Sequence, residues 1–429
     1  MIPRSVTSAS LVLAALLLSG PSCFAQAVSG SINGYVTDPS GASISGAKVS
    51  VMNEQTGVRA QASTNSEGFY NATNLPPGNY SVSVEQAGFS KLTREHVGLA
   101  VDAVMRIDLK LSVGNVSESV TVTAGAELLQ SEKVDVSQTL GEHQVQNLPA
   151  IGRNVTQLYL TVPGALPDGF QMGSGENPSE GTRTYINGTW SGSQEFVLDG
   201  ISDRSYGFSG IQLIVPPVDS VQELKITTAD YDPEFGSTSG MVAQYVTKSG
   251  TNDLHGTLFY FNRNSASFAA DPLTQKIAGT GPSGKGTGAA PFNWNEGGFS
   301  AGGPIKKNKL FAFGDYQLAR EIQGASIIAT VPNEAFRSGN FSGLPNIIYD
   351  PNTGNPDGTG RTAFPNNTVP ATRINPVAVN LMKLLPAPNI NQGTDNNYVG
   401  NVRETFHQNW ADTREDWNIG DNDKFFVRY

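Results

Sequence analysis

The one compact apolar run in the chain is Leu11 to Leu18, LVLAALLL. It falls far short of the ~20 residues that an α-helix needs to span a bilayer. No other segment is long and apolar enough to do so, so any entry into a membrane must be made by β-strands. The run is also flanked in a telling way. Arg4 precedes it, Gly20 and Pro21 break it, and Ala25-Gln26-Ala27 follows as an A-x-A site. This three-part order predicts a secretory signal peptide over residues 1–27. A lipoprotein signal would use Cys23, but Gly20-Pro21-Ser22 fits that pattern poorly. Cys23 is the only cysteine, so cleavage after Ala27 would leave a chain with no disulfide and no thiolate chemistry.

Composition narrows the fold class. Gly 47 and Pro 25, with only 15% charged residues, point to β-rich structure rather than long solvated helices. A net charge of -10 disfavours nucleic acid, because phosphate binding needs a basic face. His96, His143, His255 and His407 are scattered without metal-ligand spacing. No nucleophile or acid–base constellation is visible, so neither an enzyme nor a cofactor is expected.

Residues 28–112 alternate between strand-like runs and turns. Ser31 to Thr37 and Ala47 to Val51 are runs, with Asp38-Pro-Ser-Gly41 turning between them. Val104 to Leu111 places Met105, Ile107, Leu109 and Leu111 on one face and Val104, Arg106, Asp108 and Lys110 on the other. Such short strands predict a small β-sandwich. GYVTDPSGASISGAKVSV, TNSEGFY and LPPGNYSVSVEQAGF, in that order, resemble the carboxypeptidase regulatory-like domain. That resemblance implies a prealbumin-like sandwich, serving either as a spacer or as a carbohydrate-binding-like docking module. Tyr35, Phe69, Tyr70, Tyr80 and Phe89 read as core or half-buried strand residues rather than a sugar platform.

Residues 113–125 form a linker with one β-prone run, Glu118, Ser119, Val120, Thr121, Val122, Thr123 and Ala124, between Gly114 and Gly125. The run resembles the TonB box of outer-membrane receptors, which implies a strand that adds to a partner's sheet through main-chain hydrogen bonds. The same residues could instead form a last strand packed on the sandwich.

Residues 126–251 mix helix and strand signals. Ser137 to Val145 reads as a short helix. Tyr185 to Gly188 and Glu195 to Ile201 read as a hairpin, helped by the turn pairs Asn187-Gly188 and Asp199-Gly200. LPAIGRN, INGTWSGSQEFVLDGI, PPVDSVQELKITT, EFGSTSGMVAQYVTKSGTN and HGTLFYFNRN follow the order seen in Oar-like TonB-dependent receptors, and the chain resembles their N-terminal part. The resemblance implies a plug domain lodged in an outer-membrane barrel.

Residues 252–429 carry aromatic strand-like runs: Thr257 to Arg263, Phe299 to Ile305, Leu310 to Leu318 and Phe425 to Tyr429. Polar stretches from Asn264 to Phe292 and from Ile322 to Arg414 read as long loops. At ~9–11 residues per spanning strand, this length supplies only a few strands, whereas closing a barrel around a plug needs roughly twenty or more. The expected fold is therefore mainly β: a prealbumin-like sandwich, an α+β plug, then the first strands of an incomplete barrel, read as the start of a longer receptor. The implied setting is the cell outer membrane, with a periplasmic N-terminal domain. The implied partners are the TonB complex of the inner membrane, outer-membrane lipid and an unidentified extracellular ligand. The other function considered is a secreted or surface carbohydrate-binding or adhesive module that does not transport.

Overall fold

A computed structural model describes residues 29–114, 119–123, 133–168, 181–206, 211–236, 238–267, 292–390, 393–420 and 423–429. The expected signal peptide, Glu118, Ala124 and most of the Asn264 to Phe292 stretch lie outside them. The chain forms two compact units. One takes in the described residues up to Phe259 with Gly298–Gln317 and Trp410–Tyr429, and the other takes Tyr260–Gly297 and Leu318–Asn409.

The first unit opens with a β-sandwich. Its first sheet is β1 (Gly30–Thr37) between β4 (Phe69–Leu75) and the pair β7 (Val104–Arg106) and β8 (Leu109–Lys110). Its second sheet runs β3 (Arg59–Ser63), β2 (Lys48–Asn53), β5 (Gly78–Glu85), β6 (Lys91–Leu99), β9 (Ser119–Thr123). Ile32, Val36, Val49, Val51, Val82, Val84, Ile107 and Leu109 from both sheets meet in one core. All but Ile107, which lies between β7 and β8, come from strands, and period-two patterning of this kind makes a sandwich. Tyr70 and Tyr80 are buried, while Tyr35, Phe69 and Phe89 are half-buried. No aromatic platform is therefore displayed by these five rings. The run from Val104 to Leu111 is interrupted where the Asp108 carboxylate accepts the Tyr35 backbone N–H at 2.9 Å. A side chain there stands in for a ladder carbonyl.

The middle sheet has the order β10 (Val136–Gly141), β15 (Val221–Ala229), β16 (Val242–Thr247), β13 (Glu195–Leu198), β14 (Ile201–Ser202). A small ribbon, β11 (Ala165–Pro167) with β12 (Thr184–Ile186), lies outside it. Two local expectations are corrected. The Ser137 to Val145 stretch is not one helix: β10 occupies it up to Gly141, pairing antiparallel with β15, and α1 is only Glu142–Asn147. A partner some ninety residues away outweighs the local helical signal. Nor do Tyr185–Gly188 and Glu195–Ile201 pair with each other. Asp199-Gly200 does turn β13 into β14, but β12 pairs with β11.

The last sheet is open and in chain order: β17 (His255–Asn264), β18 (Phe292–Lys306), β19 (Leu310–Ala329), β20 (Tyr398–Asn418), β21 (Lys424–Arg428). The stretch Ile322 to Arg414 is thus not all loop, because β19 and β20 reach into it from both sides. Their sequences look polar because one face is polar by design. On β19, Phe311, Phe313, Asp315, Gln317, Ala319 and Glu321 are buried. On β17 and β21, Leu258, Tyr260, Phe425 and Val427 are exposed. Apolar residues outside and charged residues inside invert the soluble pattern and match a strand wall in lipid. Between β19 and β20, the second unit carries α2 (Glu334–Arg337) and α3 (Pro376–Leu384), capped by Asn333 and Asn375. A two-pronged Arg373–Asp350 contact at 2.8 and 2.6 Å holds this segment and keeps the Asp350 carboxyl down at about 2.

Candidate partner-binding strand and its junction

The residues singled out as partner-binding fall on β9 and its flanks. Ser119, Val120, Thr121, Val122 and Thr123 form the strand, and Glu118 and Ala124 lie outside the described residues. β9 pairs parallel with β6, from Lys91↔Ser119 to Glu95↔Thr123. The β-branched run Val-Thr-Val favours an extended strand, and the sandwich edge gives it a ladder.

Beside this strand, the sandwich is bonded to the middle sheet through a group of charges that sequence reasoning did not find. Lys225 of β15 is 1% exposed. Its Nζ lies 2.6 Å from Asp135 Oδ2 and 3.1 Å from Asp102 Oδ2. Lys133 Nζ lies 2.6 Å from both Asp102 Oδ1 and Asp232 Oδ2. Asp102 belongs to the sandwich turn after β6, so one carboxylate holds two lysines of the following segment. Burial opposes charge in this cluster, yet Lys225 keeps the Asp135 carboxyl below its usual value, and Asp102 and Asp232 keep Lys133 above its own. The one available signal was Lys225 itself, a lysine inside the strand-like run ELKITT.

Glu223 lies two residues away and accepts the Val101 backbone N–H at 2.8 Å. Burial pushes its carboxyl up to about 7. Its folded pKa lies above the ordinary glutamate value of 4.5, so the folded state binds the proton more tightly. The destabilisation from ionised Glu223 is complete above about 7 and disappears as pH falls toward 4.5. Thermal melts of the full chain in detergent should therefore lose stability between pH 5 and 8 at this site, by up to about 3 kcal/mol. Glu223→Gln should flatten that part of the profile, and an unchanged profile would remove Glu223 as its source.

A second charged group joins the middle sheet to the inner face of the last sheet. Asp199, in the β13–β14 turn, accepts Thr247 N–H at 2.9 Å and receives Arg414 Nη1 at 3.1 Å. Arg428 Nη1 stands 3.8 Å from its other oxygen. Arg414 also pairs with Asp416, and Arg428 with Asp412. Asp199-Gly200 is the turn that its sequence predicts, and its acid also meets two arginines of the last sheet.

Residues 246–429 match the model of an outer membrane beta barrel domain, and residues 31–112 that of a carboxypeptidase regulatory-like domain. The TonB-dependent transporter Oar of Myxococcus xanthus is 26% identical over 327 residues, which is 73% of this chain and 29% of Oar. The chain is a homologue of the TonB-dependent transporter Oar. It is an outer-membrane protein. Among solved structures, the outer membrane transporter YddB from Escherichia coli matches with a TM-score of 0.40 at 14% identity, over 66% of this chain and 31% of that one. A mutant of the ferric enterobactin receptor PfeA from Pseudomonas aeruginosa matches with a TM-score of 0.34 at 14% identity, over 68% and 32%. The chain spans less than a third of the length of each of these relatives.

Proposed function

We propose that the protein acts as a TonB-dependent receptor that takes up an extracellular solute, with the middle sheet as its plug and the sandwich in the periplasm. The observation that supports this most is the seating of Asp199 on Arg414 and Arg428. A buried acid of the middle sheet that meets two arginines of the last sheet supports the plug reading. In this reading the solute binds on the outer side, in the segments between strands, and TonB adds a strand to residues 118–124. The resulting pull rearranges the plug and opens a path. The exposed apolar side chains of β17 and β21 argue against a secreted adhesive module, since that surface would face water.

Deleting Glu118–Ala124 in the full-length protein should abolish uptake while leaving surface binding of the same solute intact. Cells that take up solute at the normal rate after this deletion would remove the assignment. Loss of surface binding as well would point to misfolding, which outer-membrane abundance and protease resistance would check.

A further inference from the structure

Among the described residues, β9 has one edge occupied and one edge open. β6 covers one side through five consecutive residue pairs. β9 is also the last strand of its sheet, so no strand among the described residues covers the other side. An open strand edge presents unpaired N–H and C=O groups, and natural sheets guard such edges with charges or proline. The opposite edge of the same sheet, β3, carries the exposed Arg59. The sequence of β9, Ser-Val-Thr-Val-Thr, has neither charge nor proline. It is a short, unguarded template for one more strand.

We infer that TonB docks on this open edge while β9 stays paired with β6, so that the sandwich and the partner form one continuous sheet. The inference rests on the reading of residues 118–124 as the TonB-binding segment. Two physical consequences favour it. A loose tail must be ordered when it binds, whereas β9 is already extended, which removes that cost from association. A pull on a free tail would also load only the linker. A pull on β9 in its sheet is shared along the β6 ladder and reaches Asp102, which holds Lys225 of the middle sheet. The sandwich then becomes the handle by which the plug is moved.

The test locks β9 in place. Thr93 and Thr121 are direct Cα partners across the ladder. The only native cysteine, Cys23, lies in the segment read as a signal peptide. Thr93→Cys with Thr121→Cys therefore allows a single cross-link, made by oxidation and opened by reductant. The full chain in detergent is titrated with the purified periplasmic domain of TonB. The expected result is equal or higher affinity in the oxidised form. A fall of about tenfold or more on oxidation, restored by reductant, would show that β9 must leave the sandwich. That outcome overturns the inference and leaves the TonB reading standing. Hydrogen exchange on the wild-type chain gives a second readout: the amides of Lys91–Glu95 should stay protected when TonB binds, and their exposure would overturn the inference independently. If no form binds TonB, wild type included, residues 118–124 are not its site and both proposals fall.

Discussion

Replacing Lys225 by methionine should destabilise the first unit by about 3–5 kcal/mol, the usual cost of removing one partner from a buried ion pair. Lys225 is 1% exposed and answers two carboxylates, Asp102 and Asp135. Methionine fills much of the same volume but takes from Asp135 its 2.6 Å cation and from Asp102 one of two. Lys133 still compensates Asp102, whereas Asp135 loses its 2.6 Å partner. The effect should be strongest at the junction. Amides around Val101 and in β15 should exchange faster than those in the sandwich core, because Asp102 is the sandwich's charged link to that strand. Adding Asp102→Asn and Asp135→Asn to Lys225→Met should recover most of the loss, since no buried charge then lacks a partner. Denaturant melts of wild type, Lys225→Met and the triple variant would check this. A Lys225→Met chain as stable as wild type would mean that the cluster contributes nothing net.

Gly34→Ala should be nearly as damaging, and for a steric reason. A Cβ built at Gly34 would lie 1.9 Å from the Ile107 carbonyl oxygen and 2.5 Å from its carbon. Both obstacles are backbone, in the link between β7 and β8 where Asp108 also bonds Tyr35 and Tyr70 Oη donates to Ile107 O at 2.8 Å. Nothing there is the flexible end of a side chain, so the strands must separate. Overpacking of this kind typically costs about 1–3 kcal/mol, and the rigid neighbours place Gly34→Ala at about 3 kcal/mol. Gly41→Ala is the control for added bulk at a glycine with open space, although its φ of 90 carries a backbone cost of its own. A sandwich whose melting is unmoved by Gly34→Ala would show that β1 and the β7–β8 link are not held this closely.

What the sequence made legible was local and periodic. The alternation from Val104 to Leu111 put Met105, Ile107, Leu109 and Leu111 on the side that is buried. Asp199-Gly200 turned where turn chemistry said it would. The aromatic run from Phe425 forms β21, as its strand-like sequence predicts. The misses share one cause, partners far apart in the chain. β10 was read as helix because its ladder depends on β15. The ends of β19 and β20 read as loop in the sequence because a wall strand shows lipid only half of its residues, and its inner half, such as Arg414, looks like loop chemistry. Lys225 and Asp102 are 123 positions apart, so no window of sequence holds both. The β9 run was visible as a strand, and packing on the sandwich was one of its two readings, but the parallel register with β6 was not visible, because pairing across a connection leaves no local pattern.

The most direct measurement is a disulfide trap in living, energised cells. The full-length protein would carry a single cysteine at Thr121, and TonB a series of single cysteines along its periplasmic domain. The proposed function predicts a mixed disulfide between Thr121→Cys and TonB, with weaker trapping from a cysteine at Thr189 in the middle segment. Failure to trap TonB from any position between Ser119 and Thr123, while cysteines elsewhere in the protein do trap it, would contradict the account and move the coupling site away from β9.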